Sequence, residues 1–296
     1  MSLNPIQPRQ NSTTANTSRR PSPAIWTDCP WEEINDPRSI MDGITFFDDF
    51  VDGLEVGFAT GALQTTSGAL GRYKAYSATA GVWGPNNMPS STTASIFGGV
   101  ISGLCDTDGD AMAIGTYSCP FLLTTTQNSK LWFEARIATT SILTNMGQLF
   151  VRLGENQVLG VTGFTASVPL ANADTNATTL AMLGFQRQED GLGVLNTVYA
   201  DHASPFTNVQ ASANTTLAAN TWIKLGMKVD MANSDRCVRF FVDNVECTSA
   251  ITKAVLLATT FLDVSGLGPL LAFYADSAGT ADYVFLDWWR VAQTVN

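Results

Sequence analysis

The residues able to do chemistry are few and scattered. One histidine, His202, sits in the string A-D-H-A-S-P. A multi-histidine metal site within one chain is therefore excluded, and Asp201, His202 and Ser204 follow one another too closely to face each other as a catalytic relay requires. Carboxylate chemistry needs two acids held apart across a cleft, which on one strand means spacing i, i+2 or i+4 so that both project to the same side. Glu134 stands alone in its run, Asp48 and Asp49 point to opposite faces of an extended chain, and Glu189-Asp190 lie at a turn. Acids from separate strands could still converge. Asp106, Asp108 and Asp110 in C-D-T-D-G-D-A begin like a calcium loop, where alternating oxygen ligands surround the ion. The pattern then fails: Ala111 stands at the sixth position and Tyr117 at the twelfth, where Gly and Glu are needed. The acids read as a surface turn, so no metal and no cofactor is expected. Trp83, Trp132, Tyr199, Trp288 and Trp289 would offer rings to the apolar faces of sugars if exposed. Aromatics at strand spacing more often fill cores or subunit contacts.

The elements that must position such residues are strands. In Trp222 to Asp230, Ile223, Leu225, Met227 and Val229 alternate with Trp222, Lys224, Gly226, Lys228 and Asp230, a period of two that marks a half-buried strand. Val238, Phe240 and Val242 repeat it, with Arg239 and Phe241 on the other side, and Asp243-Asn244 then supplies two residues that tolerate positive φ for a tight turn. Leu131, Phe133, Ala135 and Ile137 oppose Trp132, Glu134 and Arg136. Leu149, Val151 and Leu153 leave Arg152 outward. From Leu183 to Asp201, two runs flank Asp190-Gly191 as a hairpin. Ile44 to Phe50, Leu270 to Ala275 and Tyr283 to Val291 add further strands. Phe58 to Gly103 suggests several short strands of unplaced order, and Ser249 to Thr259 a short helix or a crossing loop.

The strings W-I-K-L-G-M-K-V-D at Trp222 and V-R-F-F-V-D-N at Val238 resemble the paired strands of laminin-G and concanavalin A-like lectin/glucanase jelly rolls. P-F-L-L and K-L-W-F-E-A-R-I between Pro120 and Ile137, the opening I-T-F-F-D-D-F at Ile44, and Y-V-F-L-D-W-W-R-V at Tyr283 are similar to jelly-roll domains in structural proteins of tailed bacteriophages. The resemblance implies an all-β fold: a two-sheet antiparallel jelly-roll sandwich, concanavalin A-like, over residues 44–296. The E-x-D-x-x-E pattern of the glucanases in that group is absent.

Composition agrees with sheets and turns. At 296 residues, one large core is attainable without staples. Charged residues make up 14%, and a net charge of −10 argues against nucleic acid as the partner. Five cysteines, Cys29, Cys105, Cys119, Cys237 and Cys247, are an odd number without a C-x-x-C pair, which predicts reduced thiols and no bridge between Cys237 and Cys247. No apolar run is long enough to span a bilayer, and none opens the chain, so a product made in a host cytoplasm with no membrane partner is expected.

Residues 1–43 differ from the rest. Prolines at 5, 8, 21, 23, 30 and 37 and the polar run from Asn11 lack any periodic apolar face, so the segment reads as an extended N-terminal arm. Its first 27 residues carry Arg9, Arg19 and Arg20 and no acid. Trp26 and Trp31 would anchor it on a surface, its own or a neighbour's. The resemblance then implies a bacteriophage decoration, or cement, protein on the capsid surface of the virion. Its arm residues Arg9, Arg19, Arg20, Trp26 and Trp31 would bind the major capsid protein, and by analogy it would be a homotrimer without enzymatic activity. The alternatives are a tail or fibre component, a carbohydrate-binding module with a glycan as ligand and, behind it, a glycoside hydrolase.

Overall fold

The computed structural model describes residues 19–38, 42–50, 63–65, 73–77, 82–85, 99–105, 111–116, 120–124, 128–140, 149–155, 182–187, 193–200, 207–210, 216–257, 266–274 and 282–294. Sixteen strands among them form two antiparallel sheets, the concanavalin A-like sandwich expected from the alternating runs.

The first sheet contains β1 (Gly43–Asp48), β4 (Val82–Pro85), β5 (Ile101–Cys105), β7 (Lys130–Thr139), β12 (Ile223–Asp230), β13 (Val238–Val242), β14 (Val245–Ile251) and β16 (Asp282–Thr294). Its order is β14-β13-β12-β7-β16-β5-β4, with β1 also paired to β16. The second sheet contains β2 (Leu63–Thr65), β3 (Tyr73–Ser77), β6 (Ala111–Thr116), β8 (Leu149–Glu155), β9 (Met182–Arg187), β10 (Leu195–Ala200), β11 (Thr207–Gln210) and β15 (Leu267–Tyr274). Its order is β11-β10-β9-β8-β15-β6-β3-β2. The stretch of unplaced order thus divides between the sheets, β2 and β3 going to the second, β4 and β5 to the first.

Register follows the apolar pattern. Leu225, Met227 and Val229 of β12 stand opposite Val242, Phe240 and Val238 of β13, and opposite Ala135, Phe133 and Leu131 of β7. These side chains meet Leu149, Val151, Leu183, Phe185, Leu271 and Phe273 of the second sheet in one core. A one-residue slip would carry Lys224 and Lys228 into it, so the register is fixed by burial. The turn after β13 is a two-residue hairpin to β14, with Asp243 at φ 46 and Asn244 at φ 71. Both lie in the left-handed region that such turns require. The hairpin from Leu183 is formed by β9 and β10, while Asp190-Gly191 lie outside the described residues. A short helix, Lys253–Leu257, follows β14, and Cys237 and Cys247 are free, buried thiols. Among the described residues no helix is long and apolar enough to cross a membrane.

The arm is where expectation and structure part. Over its described residues it is not extended. Two short helices, α1 (Pro23–Trp26) and α2 (Trp31–Asn35), fold back across the outer face of the first sheet as a strap. Pro23, with its preset φ and no N–H to lose, opens α1, and Ser22 O accepts the N–H groups of Ile25 and Trp26 at 3.0 and 3.1 Å. The outward residues of β7, polar in the sequence, are consequently buried. Trp132 and Glu134 are 1% and 0% exposed.

Candidate functional site

The outer face of the first sheet, with the strap on it, gathers a connected set of charged and aromatic side chains. Its floor comes from alternate positions of neighbouring strands. β7 contributes Trp132, Glu134 and Arg136; β12 contributes Lys224, Gly226 and Lys228; β16 contributes Asp287 and Arg290. Asp287 follows Phe285 onto this face by alternation, Val284 and Leu286 facing the core, and a β-bulge then resets the frame so that Trp289 and Val291 face the core: Leu286 pairs with Ile137 and Trp288 with Arg136.

Most floor residues are engaged by the strap. Glu134 accepts hydrogen bonds from the Ser22 backbone N–H at 3.0 Å and from the Trp26 Nε1–H at 2.8 Å. Arg19 grips Asp287 with two nitrogens, Nη2 to Oδ1 at 2.5 Å and Nε to Oδ2 at 3.1 Å, while Arg136 donates to the same carboxylate from the sheet side. The Arg136 guanidinium also lies 4.3 Å from the centre of the Trp222 ring. Asp28 accepts from Lys228 Nζ at 2.5 Å and from Trp132 Nε1 at 3.2 Å. Lys224 Nζ donates to Arg20 O at 3.2 Å, and the Ala24 N–H to Asn244 Oδ1 at 2.7 Å. Ile25 fills the space above Gly226, where any Cβ would collide with its Cδ1. The arm residues Arg19, Trp26 and Trp31 are thus occupied with their own sheet in this structure, and Arg9 lies outside the described residues.

Burial dominates the electrostatics. It pushes the Glu134 carboxyl up, against the lowering effect of the Ser22 and Trp26 hydrogen bonds, and pushes Asp287 up against the pull of Arg136 and Arg19. Burial also raises Asp28, yet the Lys228 and Trp132 donors outweigh it and hold that carboxyl below the usual range. The Cys29 thiol is pushed up to about 12 by burial, which leaves it protonated and inert.

At the edge of this face lies an aromatic cluster around one cation. Arg290 packs against both strap tryptophans, its guanidinium carbon 4.4 Å from the centre of the Trp26 ring and 3.7 Å from that of Trp31. The two rings meet edge to face at 5.9 Å. Phe47 of β1 stands directly opposite Arg290 in the sheet and is 47% exposed. Trp26 and Trp31 are half-buried.

The remaining expected site residues fall elsewhere. Trp132, Trp288 and Trp289 are buried, Trp289 among Phe50 and Tyr73 in the core, and Tyr199 packs against that core. They form no sugar platform. Trp83 lies in β4. His202, the acids Asp106, Asp108 and Asp110, and Glu189-Asp190 lie outside the described residues. Among the described residues no three His, Cys, Asp or Glu side chains are grouped as a metal site. The sequence reading missed Asp287, and also Phe47 and Arg290, which only the register brings together. Gly226 was a signal available in the sequence, since a glycine amid a strand marks close approach by another backbone or ligand.

A second buried polar row occupies the outer face of the second sheet. Gln186 stands opposite Phe150 in β8 and Asn196 in β10, and Arg152 lies 4.9 Å from the Phe150 ring with Gly184 opposite it. Burial brings the Arg152 guanidinium down to about 9.

Comparison with known proteins adds architecture. An endo-1,3-β-glucanase from Streptomyces sioyaensis superposes with a TM-score of 0.51 at 18% identity, covering 87% of this chain and 98% of that one. The likeness is one of fold. A protein of unknown function from Shewanella oneidensis matches at 0.48 and 14% identity, over 86% and 88% of the two chains. The carbohydrate recognition domain of Emp46p matches at 0.43 and 10%, over 71% and 87%. No protein-family model and no curated protein sequence matches the chain. By description one of these neighbours is a glucanase and another a carbohydrate recognition domain.

Proposed function

We propose that this chain is a non-catalytic carbohydrate-binding β-sandwich whose sugar platform is the half-exposed aromatic cluster at Phe47, Trp26 and Trp31 around Arg290. The observation that carries the reading is the exposure of Phe47 beside a guanidinium held in place by two indoles. Aromatic rings stack on the apolar faces of pyranoses, and a fixed guanidinium donates to their hydroxyls. The glucanase-like fold is consistent with this class of ligand but assigns no residue a role. On this face hydrolysis is disfavoured because both described floor acids, Glu134 and Asp287, spend their oxygens on the strap and on Arg136. A glycosidase needs one acid free to protonate and another free to attack or to activate water.

The test is a glycan array followed by titration calorimetry on the best binder, with wild type and Phe47→Ala. Phe47 is exposed, so its removal leaves the core intact. Binding that weakens about tenfold, the loss of ~1.4 kcal/mol expected for one stacking ring, supports the platform. Absence of binding to every glycan, or unchanged affinity in the variant, removes it.

A second reading places the same module on a virion, decorating the major capsid protein. It is favoured by the eighteen residues that precede the strap, which carry Arg9 and no acid and suit an extended contact with a partner. Addition of the chain to capsids lacking it, followed by heating, tests this: bound protein and a higher disruption temperature support it, and no binding ends it.

A further inference from the structure

We infer that the glycan taken at the platform is an acidic one, a sugar carboxylate or sulfate pairing with the Arg290 guanidinium while the sugar ring lies on Phe47. This ligand class rests on the platform of Phe47, Trp26 and Trp31 binding sugar at all. Other cations on the same face have an anion of their own: Arg19 and Arg136 share Asp287, and Lys228 holds Asp28. Arg290 does not. Among the described residues no carboxylate pairs with it, and its Nε is buried without a hydrogen-bond partner. Glu134, directly across from it on β7, is the carboxylate near enough to act on it, yet both Glu134 oxygens are turned to the Ser22 and Trp26 N–H groups. The nearby Cys29 thiol, pushed up to about 12, carries no charge at neutral pH that could stand in.

Two ring faces hold Arg290 instead, Trp26 at 4.4 Å and Trp31 at 3.7 Å from its guanidinium carbon. Stacking uses the flat sides of a guanidinium and leaves its N–H donors, which point outward in the plane, to a two-oxygen acceptor. Nη1 and Nη2 neither donate to a described acceptor nor are sealed from water, so an oxyanion can reach them. Hydrogen bonds to an ionised acceptor are roughly twice as strong as those to a neutral one. A half-buried cation without an anion therefore favours an acidic sugar over its neutral counterpart. Phe47 and Arg290 are directly opposed across β1 and β16, which sets their Cβ atoms roughly 5 Å apart on one face. A pyranose stacked on Phe47 thus presents an exocyclic acid to the Arg290 fork. The net charge of −10 does not forbid this, because exposed charges more than about 8 Å away are largely screened at physiological ionic strength.

The test uses the full chain on an array of uronate-containing and sulfated glycans, each printed beside its carboxyl-reduced or desulfated counterpart. Calorimetry on the best pair then follows with wild type, Phe47→Ala and Arg290→Gln. The expected result is an acidic form bound at least about tenfold more tightly than its neutral counterpart, the margin that hydrogen bonds to a charged group supply. Whichever pair shows it tells carboxylate from sulfate. Added salt should shrink that ratio, Arg290→Gln should bring it close to one, and Phe47→Ala should weaken both forms alike. The wild-type comparison needs no variant to fold. A wild-type ratio near one, with binding still weakened by Phe47→Ala, overturns the acidic class and leaves the platform standing. A ratio that survives in Arg290→Gln overturns the pairing with Arg290. Binding to no glycan removes the platform and this ligand with it.

Discussion

Gly226 has no side chain at the point where Ile25 of the strap comes down on β12. Gly226→Val should therefore lift the strap and lower stability by roughly 1–3 kcal/mol, as overpacking does. A drop in melting temperature, with a red shift in emission as Trp26 and Trp31 gain water, is the expected readout. Asp287→Ala should cost more, about 3–5 kcal/mol, because it strands the buried cation of Arg136. Arg19→Ala leaves the Arg136–Asp287 pair in place and should cost clearly less; denaturant titration of both variants checks the order. Glu134 gives a pH signature. Its carboxyl in the folded chain titrates above its ordinary value of 4.5, so the folded state binds the extra proton. Stability from this group is then highest below that ordinary value and declines as pH rises through the raised one. Melting temperature should rise on acidification toward that ordinary value in wild type and rise less in Glu134→Gln. Below about pH 4 the trend reverses, because Asp28, held below its usual range, loses its Lys228 contact on protonation.

Among the elements, the β13–β14 hairpin joins two roles. Asn244 holds a left-handed backbone at φ 71, and its side chain accepts the Ala24 N–H of the strap. Asn244→Gly keeps the backbone and loses the hydrogen bond; Asn244→Ala loses both. The alanine variant should be less stable than the glycine variant by about 1 kcal/mol, and thermal melts of the two separate strain from strap anchoring. This turn was legible in the sequence because D-N after an alternating run has a local cause. The strands were legible for the same reason: Ile223 to Val229, Val238 to Val242 and Leu131 to Ile137 alternate, and each packs inward as its pattern says. The strap was not legible. Prolines and short polar stretches read as an arm, whereas its folding depends on Trp26, Ile25 and Arg19 finding Glu134, Gly226 and Asp287, more than a hundred residues away in sequence.

Across the whole molecule, strand order decides what the first sheet can do. β16 lies between β7 on one side and β1 and β5 on the other, although it follows every other strand in the chain. Neither the pairing of Gly43 with Thr294 nor the Arg19–Asp287 contact can form locally. Contacts of such sequence separation are formed late and slowly, since the closure entropy of the intervening loop precedes any gain. During synthesis the centre of the first sheet therefore stays unfilled until β16 has left the ribosome, and the strap, made first, has no seat for nearly the whole of that time. A nascent chain stalled just before Asp282 should expose Trp26 and Trp31 to chaperones and proteases that the finished protein escapes.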